Sequence, residues 1–357
     1  MKVLYYITSH GYGHALRSAA ICNRLSPETD IVFRTAVPRK FFDEEVKRPF
    51  FCEPAEFDCG CIQTDGVTVD EEKTLSRYRE LAAHNSRMLD KEACWCARNR
   101  VSVIVSDIVP FAFEVASRAG VPSVAATNFT WCSIYEEYAW AVPEFSRELD
   151  GMRRQYSMAS LLLAMFPANP MPYFANRKDV DAVGRVGTNV RERLLKEAGA
   201  GPNRKLGLIY AGNFGMDSVR WRALAEFQDW EFFGLYPLKD APANYHCISK
   251  NSFRYQDCIA SADVMIGKLG YGTCAECFIN GLPIIYLPRE GFAEYPVLHA
   301  AVTGWGHGYF LPRDDFYDLR WGGALDAAAR RGRPAPMKSD GAEICAREIE
   351  AAAKKGS

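Results

Sequence analysis

Two histidines four residues apart, in Ser9-His-Gly-Tyr-Gly-His14, are well suited to move a proton. A free imidazole titrates near ~6.5, so at neutral pH it accepts a proton from a poor nucleophile such as a hydroxyl group. The glycines between the two rings let backbone approach a ligand closely. Asp107 ends the apolar run Val101-Ser-Val-Ile-Val-Ser-Asp107. His10 and Asp107 each follow a strand at its carboxyl end. A carboxylate placed there holds one ring nitrogen as N–H, leaves the other as the base, and stabilises the imidazolium that forms. The expected pair is His10 with Asp107. In the alternative, Asp107 caps the following helix and His14 is the base.

A second constellation lies in Val264-Met-Ile-Gly-Lys-Leu-Gly-Tyr-Gly-Thr-Cys-Ala-Glu276. Val264–Ile266 reads as a buried parallel strand, followed by a loop holding Gly267, Gly270 and Gly272. Thr273 is placed to cap a helix that Gly281-Leu-Pro283 stops. A glycine loop at a helix amino-terminus receives an anion, because N–H groups and the positive end of the helix dipole point at it. Glu276, one turn in, is placed to accept hydrogen bonds from a ribose diol. Lys268 either meets phosphate charge or is a solvated loop lysine. The pattern is neither a Walker loop nor the GxGxxG fingerprint.

The elements that must position these residues alternate. Strands are expected at Val3–Thr8, Ile31–Phe33, Val101–Asp107 and Ser123–Thr127, with a further short one possible within Phe50–Gln63. The helix from about His14 to Leu25 should bury Leu16, Ala19, Ala20 and Leu25, and residues 70–99 read as a long helix. After Pro167, Pro170 and Pro172, taken as the passage between domains, strands recur at Leu206–Tyr210, Trp230–Phe233, His246–Ile248, Val264–Ile266 and Ile284–Leu287. Ala211-Gly-Asn-Phe-Gly215 is another glycine loop at a strand's carboxyl end. This alternation predicts two doubly wound parallel-sheet, Rossmann-like domains, at 1–168 and 180–340. An alanine-rich helix at 341–355 closes the chain.

Asn128-Phe-Thr-Trp-Cys-Ser-Ile-Tyr135 leaves a strand at the sheet edge where ligands bind. Trp131 and Tyr135 there either stack on a sugar ring or pack the domain edge. Asp179-Val-Asp181 matches a metal-binding DxD pair, but it falls in the passage between domains and reads as chance. The pairs Cys59/Cys61 and Cys94/Cys96 lack a second pair at zinc-like spacing, so no metal is expected.

The chain has 357 residues, 48% hydrophobic and 24% charged, with a formal net charge of -1. That balance gives no basic field for nucleic acid or an anionic membrane. No apolar run reaches spanning length and the amino-terminus lacks a signal-peptide pattern, so a cytoplasmic location is expected, with the 12 cysteines as thiols.

Gly272-Thr-Cys-Ala-Glu276 and Gly281-Leu-Pro-Ile-Ile-Tyr-Leu-Pro288 resemble the donor-site signature of GT-B glycosyltransferases. Gly11-Tyr-Gly-His14 is similar to the first loop of the peptidoglycan N-acetylglucosaminyltransferase. A broader likeness is to the glycosyltransferase-like amino-terminal half of arabinokinases. It is carried by Tyr6–His14, Asp58-Cys-Gly-Cys-Ile-Gln63, Ser106–Pro110, Thr127–Trp131, Pro170–Pro172 and Gly267–Thr273. The kinase half of those proteins is not expected here.

This resemblance implies a GT-B fold, two domains facing across a cleft, with the terminal helix crossing back onto the first. It implies an inverting, metal-independent transfer of sugar from a nucleotide-diphosphate sugar, UDP favoured, to a small hydroxyl-bearing acceptor. The donor-side residues are then Gly212, Asn213, Phe253, Lys268, Gly270, Gly272, Thr273, Glu276 and Glu294. The acceptor side has Asn128, Trp131 and Tyr135, and catalysis falls to His10, Asp107 and His14. The rival readings are a nucleotide-sugar 2-epimerase and a non-catalytic sugar-nucleotide sensor.

Overall fold

Strands buried on both faces organise the chain, as near-continuous apolar runs dictate. The computed structural model describes residues 1–63, 69–140, 142–210, 218–249 and 252–355. The chain divides into two units, one of Met1–Thr64, Val69–Gly184 and Ser339–Ser357, the other containing Arg185–Lys338.

The first unit holds seven parallel strands: β1 (Lys2–Ile7), β2 (Asp30–Thr35), β3 (Phe51–Pro54), β4 (Val103–Asp107), β5 (Ser123–Thr127), β6 (Leu161–Met165) and β7 (Arg177–Val180). Their order is β3-β2-β1-β4-β5-β6-β7. The order reverses between β1 and β4, where Ile7 lies level with Asp107. The loops after these two strands therefore open at the topological switch point, where ligands bind in such sheets. The helix Gly341–Lys355 packs against the helix Tyr12–Cys22 and β4, β5 and β7. Glu350 accepts from the Ser26 N–H at 2.7 Å, and Lys178 pairs with Glu348 at 2.5 Å.

Strand β7 differs from expectation. Residues 177–179 fall in the expected interdomain passage and 180 in the expected second domain, yet all four pair with β6 in the first unit, from Leu162↔Arg177 to Met165↔Val180. Its Arg-Lys-Asp sequence is exposed, as suits an edge strand that must discourage further pairing. That polarity hid it. The Asp179 carboxylate binds the Arg177 guanidinium at 2.7 Å.

The second unit has β8 (Lys205–Tyr210), β9 (Trp230–Gly234), β10 (Tyr245–Cys247), β11 (Val264–Lys268), β12 (Ile284–Leu287) and β13 (Gly308–Phe310), all parallel. The order is β10-β9-β8-β11-β12-β13. Alternate residues feed two cores, one on each face, as a period of two requires. Met265, Ile284 and Tyr286 enter one, Val264, Ile266, Ile285 and Leu287 the other. At the β8/β11 switch point, a Cβ on Gly267 would collide with the Tyr210 carbonyl, so glycine is required for the strands to pair there.

Candidate active site

In the first unit the helix Tyr12–Cys22 buries a polar stripe, His14, Arg17 and Ser18, alongside Ala15, Ala19, Ile21 and Cys22. The expected apolar face included Leu16 and Ala20, which are only half-buried. The reason is Asp107, fully buried at the end of β4. Arg17 binds it through Nε and Nη2, both at 2.6 Å, and Ser18 donates to it at 3.3 Å. His14 Nδ1 lies 2.9 Å from Asp107 Oδ1. Arg17 Nη2, which only donates, also lies 3.0 Å from that nitrogen, so Nδ1 either donates to the carboxylate or accepts from the guanidinium, according to the tautomer. In the Nδ1–H tautomer, Nε2 is the basic nitrogen. Burial works to raise the Asp107 carboxyl, but the charges of Arg17 and His14 and their hydrogen bonds outweigh it and hold the group below its ordinary range.

The pairing expected from sequence, His10 with Asp107, is thus not the hydrogen bond formed; Asp107 binds His14. Arg17 also binds the Asn128 side-chain oxygen, so Asn128 is fully buried and serves this network. Sequence reasoning missed Arg17. Its signal was an arginine one turn beyond His14 on a small-residue helix face.

His10 sits elsewhere. Its Nδ1 accepts the Cys61 N–H at 3.1 Å, and its ring meets Trp131 edge-on with centroids 5.3 Å apart. Trp131 and Tyr135 are 0% exposed and stack on each other at 5.6 Å. They are therefore not available to stack on a sugar, and packing at the domain edge describes them. Trp131 Nε1–H donates to Asp58 at 2.8 Å and the Tyr135 hydroxyl donates to the Gly60 carbonyl at 2.6 Å. Asp58, also missed, is a buried acid whose oxygens accept only from Trp131 and Thr8, each at 2.8 Å, among its described hydrogen bonds. Burial pushes its carboxyl up to about 6.

In the second unit, the helix Tyr271–Asn280 begins from Gly270, not Thr273, which lies inside its first turn. At the N-cap Gly270 no atom lies within 4 Å of where a Cβ would stand, which leaves the backbone there open to a ligand. Glu276 is buried in that helix, and Arg185 binds both its oxygens, at 2.5 and 3.2 Å. A carboxylate in a bidentate pair retains further acceptor positions for a ribose hydroxyl. Lys268 ends β11; burial and the nearby Arg289 charge lower its ammonium to about 8. Glu294 is buried where the helix Tyr295–Trp305 starts. Phe253 belongs to the hydrophobic core, its ring covered by the Arg193 guanidinium at 5.0 Å. Gly212 and Asn213 lie outside the described residues. Among the described residues no three His, Cys, Asp or Glu side chains are grouped to hold a metal, and no helix is long and apolar enough to cross a membrane.

No family model matches the chain. Among solved structures it is similar to the glycotransferase of kitacinnamycin, with a TM-score of 0.64 and 14% identity, covering 99% of this chain and 95% of that one. A UDP-glucosyltransferase from Polygonum tinctorium that glucosylates indoxyl gives 0.63 and 14%, covering 99% and 93%. The glycosyltransferase VinC, in complex with dTDP, gives 0.59 and 12%, covering 99% and 95%. The chain therefore has the GT-B fold of glycosyltransferases, built from two Rossmann-like domains. In sequence it is 31% identical over 333 residues to the L-arabinokinase of Arabidopsis thaliana, which covers 91% of this chain. The chain spans about a third, 32%, of that relative's length.

Proposed function

We propose that the chain is an inverting, metal-independent glycosyltransferase that moves a sugar from a nucleotide-diphosphate sugar to a hydroxyl acceptor. The observation that carries the reading is the His14–Asp107 pair at the switch point of a GT-B-type first domain. His14 Nε2 takes the acceptor's hydroxyl proton while Nδ1–H stays on Asp107. The acceptor oxygen forms the new bond to the anomeric carbon as the bond from that carbon to the diphosphate breaks. The nucleoside diphosphate leaves with the electron pair, and the anomeric configuration inverts. Arg17 keeps Asp107 ionised, and the ionised carboxylate stabilises the imidazolium.

The donor is assigned to the second domain. The amino-terminus of the Tyr271–Asn280 helix and Lys268 meet the diphosphate, and Glu276 takes the ribose hydroxyls. A uridine donor is favoured by the likeness to the Polygonum tinctorium enzyme, whereas VinC carries dTDP. The phosphotransfer named for the arabinokinase relative is not part of this proposal. The test is isothermal titration with UDP and dTDP, followed by sugar transfer to an acceptor panel with and without EDTA. Tighter binding of UDP and turnover unaffected by EDTA are expected. Turnover abolished by EDTA and restored by a divalent cation would reverse the metal assignment.

A further inference from the structure

Arg185, the first residue after Gly184 to belong to the second unit, is held against Glu276 by a segment with no helix or strand of its own. Residues 185–190 are instead fixed by side chains of two helices, Tyr255–Ser261 and Tyr271–Asn280. The Asn280 amide donates to the Arg185 carbonyl and accepts the Gly187 N–H, both at 2.9 Å. Asp257 accepts the Thr188 N–H at 2.9 Å, and Ser261 accepts the Val190 N–H at 2.7 Å. A Cβ on Gly187 would overlap the Gln256 carbonyl, so glycine lets the segment lie this close to the helix Tyr255–Ser261. Asn280 stands one turn beyond Glu276 and also donates to the Glu276 carbonyl at 2.8 Å. One amide thus fixes the backbone of both Arg185 and Glu276.

The pair itself is buried, with the Arg185 and Glu276 side chains 13% and 5% exposed. A guanidinium is a rigid fork, so its contacts through Nε and Nη2 fix the plane of the carboxylate as well as meeting its charge. They use one acceptor position on each oxygen and leave another on each. Two acceptors held in one plane suit a vicinal diol. We propose that Arg185 is a positioning residue of the donor site, holding Glu276 so that its two oxygens take the 2′- and 3′-hydroxyls of a ribose together. The donor is then a ribonucleoside diphosphate sugar, and deoxyribose is selected against. The ribose contact rests on the glycosyltransferase reading; the Arg185–Glu276 pair does not.

Titration of UDP and of 2′,3′-dideoxyuridine diphosphate tests it, because the two differ only in the hydroxyls. Wild-type protein should prefer UDP by roughly 10²-fold, the size of hydrogen bonds to a charged acceptor. In Arg185→Ala the preference should fall below about tenfold through weaker UDP binding alone, with affinity for the dideoxy compound unchanged. Equal weakening of both ligands would reduce Arg185 to a support for the fold, and tighter UDP binding would make it a competitor of the ribose. Arg185→Ala strips a buried carboxylate of its partner. If that variant does not fold, Arg185→Lys carries the test, since an ammonium keeps the charge without the fork. Its preference should also fall below about tenfold, and a wild-type preference there would refute the positioning role. Glu276→Ala separates the two assignments. Preference lost in Glu276→Ala but kept in Arg185→Ala would overturn the role of Arg185 alone. Preference absent from wild type, or kept in Glu276→Ala, would overturn the ribose assignment and the role of Arg185 with it.

Discussion

Lys268 gives the donor assignment a quantitative signature in pH. Burial and the Arg289 charge bring its ammonium down to about 8, so the free protein loses that charge within an accessible range. A diphosphate at this strand end favours the charged form and raises the value toward the ordinary ~10.4. The sign follows: binding takes up a proton, so affinity is full below about pH 7 and falls as pH rises through 8. With a free-state value of about 8, the protonated fraction drops from ~0.9 at pH 7 to ~0.1 at pH 9. Affinity should therefore fall about tenfold, or roughly 1.4 kcal/mol, over that interval. Isothermal titration of UDP in buffers of different ionisation enthalpy measures both the affinity and the proton taken up. Lys268→Arg keeps a charge that does not titrate and should flatten the profile, which also corrects for titration of the nucleotide itself. Lys268→Met should weaken binding at pH 7 by roughly 1.5–3 kcal/mol, a charge-assisted hydrogen bond. An affinity that is pH-independent from 7 to 9, or the same slope in Lys268→Arg, would refute the reasoning.

His14→Ala should cost roughly 10²–10⁴-fold in turnover with nucleotide affinity unchanged, measured by nucleoside diphosphate release. Asp107→Asn should slow turnover and also cost about 3–5 kcal/mol of stability in urea unfolding, because it strands the buried Arg17 guanidinium. Glu276→Ala should weaken nucleotide binding by on the order of 1.5–3 kcal/mol, read by titration; unchanged affinity with the fold intact would move the ribose elsewhere. Asp58 is raised from 3.8 to about 6 in the fold, so its contribution to stability is present below pH ~4 and lost as pH rises through about 6. That loss amounts to roughly 3 kcal/mol, and Asp58→Asn should remove this portion of the pH-stability curve.

The strands that carry the candidate site residues were legible because buried parallel strands are apolar runs. β1, β4, β8 and β11 all appear near their expected places. β7 was not legible, since an exposed edge strand of Arg-Lys-Asp carries no apolar pattern. The candidate site divides in the same way. Asp107, His10 and His14 stood out as chemistry at strand ends, but which imidazole meets the carboxylate depends on how the helix Tyr12–Cys22 turns toward β4. Helix periodicity favoured Leu16 and Ala20 over Arg17, because an apolar rule does not foresee a buried guanidinium that exists to pair with a buried acid. For Trp131 and Tyr135 the sequence left stacking on a sugar and packing at the domain edge open, and burial decides for packing. Their hydrogen bonds go to Asp58 and Gly60, more than 70 residues away in the chain, which no local pattern shows.

Sugar transfer with His14 as the base is best checked by following the sugar. Wild-type protein and His14→Ala are incubated with a UDP-sugar over a panel of hydroxyl acceptors. Nucleoside diphosphate and the anomeric proton of any product are then quantified by NMR. Acceptor-dependent UDP release and a product of inverted anomeric configuration are expected, both reduced roughly 10²–10⁴-fold in His14→Ala. Epimerised donor in the absence of acceptor, retained configuration in the product, or full transfer by His14→Ala would contradict this reading.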